Sequence, residues 1–241
     1  MSYRGIFGLL LCVCAPATGA ADEWGSSVAV VSDYVFRGLS QTRGDPAVQA
    51  GVHWRNDEWL AGVWGSTMNP NAGPGRTLEM NAFLSRGWRL GADWHATLVG
   101  VHYFYPNNAL QLDWDYDELV ASLAFRDSVV ATIAWSPNSA AFTGGSFVED
   151  RQTISYELSG QLPLWGNVSI QASAGYGDTS SFANSGYGFW SGGLAYEAAP
   201  WHVALSHFDT SSEAEEIFGT DATGDRWALS VQWRFRTVGR Q

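Results

Sequence analysis

Acidic and basic side chains alternate with aromatic ones in the first part of this sequence. Asp33 and Arg37 lie four residues apart, with Tyr34 and Phe36 between them. Successive side chains of a β-strand point to opposite faces, so Asp33 and Arg37 would share one face while Tyr34 and Phe36 take the other. On that face the two charges can pair structurally, cap the turn at Gly38, or shape the passage of solutes through a pore.

Histidine is the other residue type with obvious chemistry. His202 and His207 lie five residues apart, on opposite faces of a strand, so no shared metal site is predicted there. A base beside a nucleophile could be built from His207 near Asp209, or from His95 or His102 near Ser85. No GxSxG motif is present, however, and we predict that the protein is not an enzyme and uses no cofactor. The fifth histidine is His53.

Acidic residues in the longer connections do not follow the spacing of a cation site. Asp113, Asp115 and Asp117 alternate as at the start of an EF-hand loop, but the glycine and distal glutamate of that loop are missing. We therefore predict no metal ion. Residues 211–221 form an acidic segment, which we interpret as solvated surface; the alternative is bridging by divalent cations to anionic lipopolysaccharide.

Composition excludes several classes of protein. The net charge of -11 argues against nucleic acid as a partner, and the 13 basic residues are all arginine. Charged residues make up only 15%, against about a quarter in ordinary soluble domains. Aromatic residues reach 14%, which argues against disorder. After the N-terminus, no apolar stretch approaches the roughly 20 residues of a membrane-spanning helix.

The N-terminus has the pattern of a secretory signal. Arg4 is followed by an apolar stretch over residues 5–14 and by small residues up to Ala21. We predict a signal peptide over residues 1–21, cleaved after Ala20 or Ala21, and a single domain over residues 22–241. Both cysteines, Cys12 and Cys14, lie in the predicted signal, so the mature chain would contain none.

Alternation of apolar and polar residues dominates the rest of the chain. A clear case is residues 151–160, where Ile154, Tyr156 and Leu158 alternate with polar residues. About twelve such segments are predicted, most near the ~10 residues that cross a membrane as a tilted strand. They span residues 24–36, 46–55, 59–67, 77–86, 90–104, 116–126, 129–136, 150–162, 166–177, 187–197, 201–208 and 225–235.

The predicted connections alternate in length along the whole chain. Long connections are expected at residues 37–45, 68–76, 105–115, 137–149, 178–186 and 209–224. Short ones are expected at residues 56–58, 87–89, 127–128, 163–165 and 198–200. An antiparallel outer-membrane β-barrel has this arrangement, with long extracellular loops and short periplasmic turns, whereas a soluble sandwich has no reason to sort its loops in this way. The predicted fold class is therefore all-β, a transmembrane antiparallel up-and-down β-barrel of about 12 strands.

Strand parity then separates an inner from an outer face. Aromatic residues near strand ends are interpreted as girdles in contact with outer-membrane lipids: Trp24, Tyr34, Trp54, Trp59, Trp88, Trp94, Trp165, Tyr176, Tyr187, Tyr196, Trp201 and Trp233. The predicted pore-lining residues are Asp33, Arg37, Gln49, His53, Arg55, Glu79, Glu118, Arg151, Glu157, Arg226, Gln232 and Arg234. Their charges are mixed, so they fit either a hydrated constriction or a closed, ion-paired interior.

One region resembles a known family. Val31-Ser32-Asp33-Tyr34-Val35-Phe36-Arg37-Gly38-Leu39-Ser40-Gln41-Thr42, followed by Asp45-Pro46-Ala47-Val48-Gln49, resembles the opening signature of the TorF-type porin family. Residues 61–66 resemble its next landmark, and residues 103–106 and 116–118 resemble later ones. The family has an acidic pair near the start of the fourth strand; Glu79 matches, but Asn81 stands at the second position. The resemblance implies an outer-membrane barrel with pore activity and supplies no substrate.

The combined prediction is an outer-membrane porin for passive diffusion of small polar solutes or ions. The pore would be narrow, since twelve strands enclose less space than the 16–18 of general porins, and we expect low conductance with a loop folded inward. Expected partners are outer-membrane lipids, lipopolysaccharide and the barrel-assembly machinery. A non-conducting surface barrel and a lipid-modifying enzyme are the alternatives.

Overall fold

The chain forms a closed antiparallel β-barrel. The computed structural model describes residues 22–69, 77–106, 112–143 and 146–238; the predicted signal peptide lies outside them. Twelve strands form the wall, in the order β1-β14-β13-β12-β11-β10-β9-β8-β7-β6-β5-β4. They are β1 (Glu23–Val31), β4 (Ala47–Arg55), β5 (Trp59–Met68), β6 (Thr77–Leu90), β7 (Trp94–Phe104), β8 (Tyr116–Phe125), β9 (Val129–Thr143), β10 (Ser146–Trp165), β11 (Val168–Asp178), β12 (Gly186–Ala198), β13 (Trp201–Thr210) and β14 (Arg226–Val238).

Closure leaves no open sheet edge in the wall. Val30 of β1 pairs with Val48 of β4 on one side and with Val231 of β14 on the other. This matters because lipid offers no hydrogen-bond partner, so every backbone donor and acceptor must be satisfied within the sheet. The predicted fold class and strand number are confirmed.

The two-residue period determines which side chains enter the barrel. In β7, Val99, Val101 and Tyr103 are buried inside, while Trp94 and Leu98 are exposed on the outer face. In β1, Val28 and Val30 face outward and Ala29 and Val31 inward. The outer face is therefore apolar, as a lipid-facing wall requires.

Exposed aromatic residues lie at both ends of the strands. On the short-turn side they include Trp24, Trp59, Trp88, Trp94, Trp165, Tyr196, Trp201 and Trp233, and on the long-loop side Trp135, Tyr156, Tyr176, Trp190 and Trp227. Of the other predicted girdle residues, Trp54 is only partly exposed. The prediction is wrong for Tyr34 and Tyr187, which are buried inside the barrel with 1% and 4% of their surfaces exposed.

The first predicted strand is too long, because the chain leaves the wall after Val31. It turns inward and forms a small hairpin of two strands, β2 (Val35–Phe36) and β3 (Leu39–Ser40), before it rejoins the wall at Ala47. We call residues 32–46 the inward loop. Parity along a continuous strand does not apply here, which explains why Tyr34 is misplaced by the sequence argument.

The connections alternate in length as predicted, with three corrections. Residues 137–149 were predicted as a long loop, but β9 and β10 continue through most of them as a two-stranded extension. The short turns predicted at residues 87–89 and 163–165 fall inside β6 and β10, and the chain turns instead at residues 91–93 and 166–167. A long loop between β13 and β14, residues 211–225, carries helix α2 (Ser212–Phe218); we call it the helical loop. A four-residue helix, α1 (Ser180–Ala183), lies between β11 and β12.

The helices contribute no membrane span. Among the described residues, no helix is long and apolar enough to cross a bilayer.

Candidate functional site

The inward loop reaches across the barrel by means of a tight hairpin. Arg37 and Gly38 connect β2 to β3, and both have positive φ, 50° and 79°. This backbone is typical of a two-residue hairpin turn, in which glycine carries little steric cost. A Cβ built on Gly38 would lie 2.7 Å from Cβ of Phe189 in β12 and 2.7 Å from Cγ2 of Thr210 in β13. The turn therefore contacts β13 and β12, which are two and three strands along the wall from β1, where the loop begins.

Asp33 anchors the start of the inward loop. It is 5% exposed, and its carboxylate accepts hydrogen bonds from Ser40 Oγ at 2.5 Å and Thr42 Oγ1 at 2.8 Å. Its other oxygen lies 3.1 Å from the Arg226 guanidinium. Arg226 also donates to the Thr223 carbonyl. One carboxylate thus ties the inward loop to β14 and to the helical loop.

Arg37 and Glu118 form a second connection, to β8. Arg37 Nη1 lies 2.7 Å from Glu118 Oε1, and the Glu118 side chain is only 3% exposed. Tyr103 donates to the other oxygen of Glu118 at 3.3 Å. Burial alone would lower the pKa of Arg37, but the Glu118 carboxylate more than offsets this and raises it, so the guanidinium stays charged. Asp33 and Arg37, which the sequence predicts on one strand face, therefore lie in a loop and have separate partners.

Tyr34 and Glu79 form a third connection, to β6. The Tyr34 hydroxyl lies 3.2 Å from Glu79 Oε1, and Asn81 donates to the same oxygen at 2.9 Å. Burial raises the pKa of Tyr34, and the nearby Glu79 carboxylate raises it further, so the phenol keeps its proton. Asn81 provides a donor where a second carboxylate would repel Glu79. The departure from the expected acidic pair thus fits this site.

The helical loop, which follows β13 and precedes β14, covers the same end of the barrel beside the inward loop. Ala214 and Ile217 of α2 are buried against Tyr187 and Phe189 of β12, and Leu39 of the inward loop packs against this cluster. The Ser40 amide donates to the Ala222 carbonyl at 2.8 Å. The inward loop and the helical loop therefore pack on each other across the long-loop end of the lumen.

The inner faces of the two halves of the wall differ. On the side of β6–β8, Val99, Val101 and Tyr103 form a buried cluster with Phe83 and Val120. We call the inner face of β10–β14 the small-residue face. It presents Ser159, Ser173, Ser191, Gly193, Ser206 and Ser230, each partly exposed. These side chains are short and remain partly accessible on the inner face.

The predicted pore-lining residues occupy four places: the long-loop end, the short-turn end, the inner face of the wall and the β9–β10 extension. Asp33, Arg37, Glu79, Glu118 and Arg226 are brought together at the long-loop end, as described above. Arg55 pairs with Glu23 at 2.6 Å and Arg234 with Glu197 at 2.9 Å, both at the short-turn end.

Four further predicted residues belong to the inner face of the closed wall. Gln232 accepts from Arg234 Nε at 2.7 Å, and the His53 ring lies over Gly25. Gln49 is buried in β4, while Glu157 is partly exposed in β10 between Tyr156 and Leu158, which point outward. Arg151 differs from the rest: it is exposed in the β9–β10 extension, where only two strands pair, so it lies outside the closed wall.

Parity along the strands missed residues of the inward loop. Tyr34, Ser40 and Thr42 take part in its anchoring, yet only Asp33 and Arg37 were predicted to face inward. The Arg37-Gly38 pair, between Val35-Phe36 and Leu39-Ser40, is a signal for a tight hairpin that could have indicated the turn.

Two of the histidine arrangements considered for catalysis do not form; in the third, His95 and Ser85 are both buried on the inner face, with no hydrogen bond between them among the described residues. His102 Nδ1 lies 2.9 Å from Asp117 Oδ1 on the outer face, whereas Ser85 is buried on the inner face. His207 lies 3.8 Å from Asp225 rather than beside Asp209. No group of three or more potential metal ligands occurs in the part of the chain that the structure describes.

The fold and the polar, partly accessible interior define a β-barrel of the outer-membrane channel type. Residues 16–235 match a family described as "Bacterial protein of unknown function" (Gcw_chp), and the chain belongs to this family. The TorF-type resemblance of residues 31–66 stays a prediction, since that description names no function. No curated protein sequence matches the chain.

Solved structures with a similar fold are outer-membrane channels. An outer membrane channel from Pseudomonas putida F1 superposes with a TM-score of 0.57 at 10% identity, over 92% of this chain and 98% of that one. The NanC porin superposes with a TM-score of 0.54 at 9% identity, over 92% of this chain and 100% of that one. The KdgM porin superposes with a TM-score of 0.50 at 9% identity, over 88% of this chain and 99% of that one. At these identities the similarity shows the fold alone.

Proposed function

We propose that this protein is an outer-membrane channel through which small polar solutes or ions diffuse passively. The observation that carries the proposal is a closed barrel whose inner face, along β10–β14, is lined by short hydroxyl-bearing side chains that remain partly exposed. Serine hydroxyls can replace some of the hydrogen bonds that a solute loses when it leaves bulk water. The channel folds of the similar structures support the same class of function.

The path would be narrow at the long-loop end, where the inward loop and the helical loop meet; we call this end the mouth. There the inward loop and the helical loop pack against each other, and three buried connections hold the inward loop to β6, β8 and β14. In the membrane, this end would face the outside and the short turns the periplasm, after export and cleavage of the predicted signal peptide. Lipids and lipopolysaccharide would contact the outer face, and the barrel-assembly machinery would insert the chain.

The experiment is solute flux into liposomes that contain the refolded protein. We expect swelling with small sugars and a steep fall in rate as the solute becomes larger, because the mouth is constricted. Protein-free liposomes and liposomes with a heat-aggregated sample serve as controls. Equal rates with and without the folded protein would contradict the channel proposal.

The packed mouth favours one alternative, a non-conducting barrel with a structural or surface role. In that case the three buried connections would hold the mouth shut permanently. Absence of flux, both in the wild type and in a variant whose inward loop is no longer anchored, would support this alternative.

A further inference from the structure

Glu157 differs from the other charged residues that line the closed wall. Four inner arginines each have an acidic partner: Arg37 with Glu118, Arg55 with Glu23, Arg226 with Asp33 and Arg234 with Glu197, at 2.6–3.1 Å. The two opposite charges of each pair largely cancel, so each pair exerts only a weak electric field on a passing ion. Glu157 makes no hydrogen bond or ion pair with any other described residue.

The position of Glu157 places its carboxylate on the accessible part of the inner face. Tyr156 and Leu158 on either side are 48% and 57% exposed on the outer face, so Glu157 points into the barrel. Its neighbour across β9 is Thr132, and its neighbour across β11 is Gly175, over which the Phe189 ring lies. Glu157 itself remains partly exposed. Short hydroxyl side chains, Ser155 and Ser159, flank it on the same face of β10.

These surroundings suit a hydrated cation. A carboxylate and nearby hydroxyl oxygens are hard oxygen ligands, which attract alkali cations and ammonium groups without binding them tightly. Weak attraction of this kind raises the local cation concentration while it still allows release, as conduction requires. Opposite β10 in the closed wall are β4 and β1, where the charge of Arg55 is balanced by Glu23. Val99, Val101 and Phe83, on the nearer inner face of β6 and β7, are uncharged.

We propose that Glu157 makes the channel selective for cations, including small solutes that carry an ammonium group. The inference rests on the proposed channel function and names its solute class. The net charge of the chain does not predict this selectivity, because much of the acidic excess lies outside the closed wall. The proposal therefore assigns the selectivity to one side chain.

The test is the reversal potential of the full-length refolded protein in a planar bilayer with a KCl gradient. We expect the wild type to prefer K⁺ over Cl⁻ and Glu157→Gln to lower the permeability ratio at least about threefold, the effect of one unit charge on ions several ångströms away in water. Glu157→Asp should retain the preference. The matched control is Glu216→Gln, which removes the same charge from the exposed surface of α2 and should leave the ratio unchanged.

The outcomes separate the two proposals. Conductance with no cation preference, or with a preference that Glu157→Gln leaves intact, would overturn the role of Glu157 while the channel function stands. An equal loss in Glu216→Gln would assign selectivity to overall surface charge and would also overturn it. Absence of conductance in every variant would overturn both.

Discussion

The mouth of the barrel and the small-residue face are built in different ways. At the mouth, buried ion pairs and aromatic side chains pack as densely as in the core of a soluble protein, with Glu118 at 3% and Tyr34 at 1% exposure. Along β10–β14 below it, serines and glycines leave the inner face accessible. In the proposed channel these two regions would divide the roles: the mouth would control whether solutes enter, and the small-residue face would determine which of them pass.

The largest expected effect comes from breaking the Arg37–Glu118 pair. Arg37→Ala leaves the Glu118 carboxylate buried without a cation, which should lower the free energy of unfolding by about 3 kcal/mol. Urea unfolding of the protein in lipid vesicles, followed by tryptophan fluorescence, measures this change. Arg37→Lys is the control, and its free energy of unfolding should fall by less, since lysine keeps a positive charge beside Glu118. A loss below about 1 kcal/mol in Arg37→Ala would mean that the mouth is not packed like a core.

A steric change at the hairpin turn should have the next largest effect. Gly38 and Gly44 have the same φ of 79°, but a Cβ on Gly38 would meet Phe189 and Thr210, whereas one on Gly44 would meet nothing within 4 Å. Both alanine variants carry the cost of the left-handed backbone. We expect Gly38→Ala to be less stable than Gly44→Ala by about 2 kcal/mol in the same unfolding experiment, because the turn must move away from the wall. Equal stabilities would show that the turn does not press against β12 and β13.

A glycine of the small-residue face and an outward-pointing glycine of the neighbouring strand form a matched pair that tests how closely the inner face is packed. A Cβ on Gly175 would meet the Phe189 ring and the Tyr156 carbonyl, while one on Gly192, which points outward, would meet nothing within 4 Å. Gly175→Ala should therefore lower the free energy of unfolding by about 1.5 kcal/mol, and Gly192→Ala should lower it by less than about 0.5 kcal/mol. If Gly175→Ala leaves the free energy of unfolding unchanged, Phe189 moves freely and the mouth is packed more loosely than described.

The smallest effect is expected outside both regions, at a turn. Arg126 and Asp93 pair at 3.0 Å, but their side chains are 65% and 46% exposed. Arg126→Ala should change the free energy of unfolding by less than about 0.5 kcal/mol, since exposed ion pairs are screened by water. A loss as large as that of Arg37→Ala would remove the distinction between buried and exposed pairs on which the comparison rests.

The strands of the wall could be predicted from the sequence, because the alternation of side chains along a strand is a local property. The two-residue alternation along β7 and β11 follows from lipid on one side and lumen on the other, so the strands and their inner faces could be predicted. Tyr34 could not be placed, because parity fails once the chain leaves the wall after Val31. The partner of Asp33 is Arg226, 193 residues away, and only closure of the barrel brings β1 next to β14.

The β9–β10 extension illustrates the same limit. Pro137, Asn138 and Gly144 are typical of loops, and a connection was predicted there, yet pairing between β9 and β10 continues past the end of the neighbouring strands. Tertiary pairing overrides local preference here, and Arg151 is consequently carried out of the closed wall.

Single-channel conductance, with and without an anchored inward loop, tests the central claim most directly. The variant replaces residues 34–41 by a Gly-Ser linker of the same length, which removes the hairpin and its contacts with β6 and β8 but keeps the chain connected. The account predicts small, resolvable current steps for the wild type and steps at least about twofold larger for the variant, because a wider mouth conducts more ions. Identical steps in the two proteins would show that the inward loop does not limit passage, and no steps in either would contradict the channel itself.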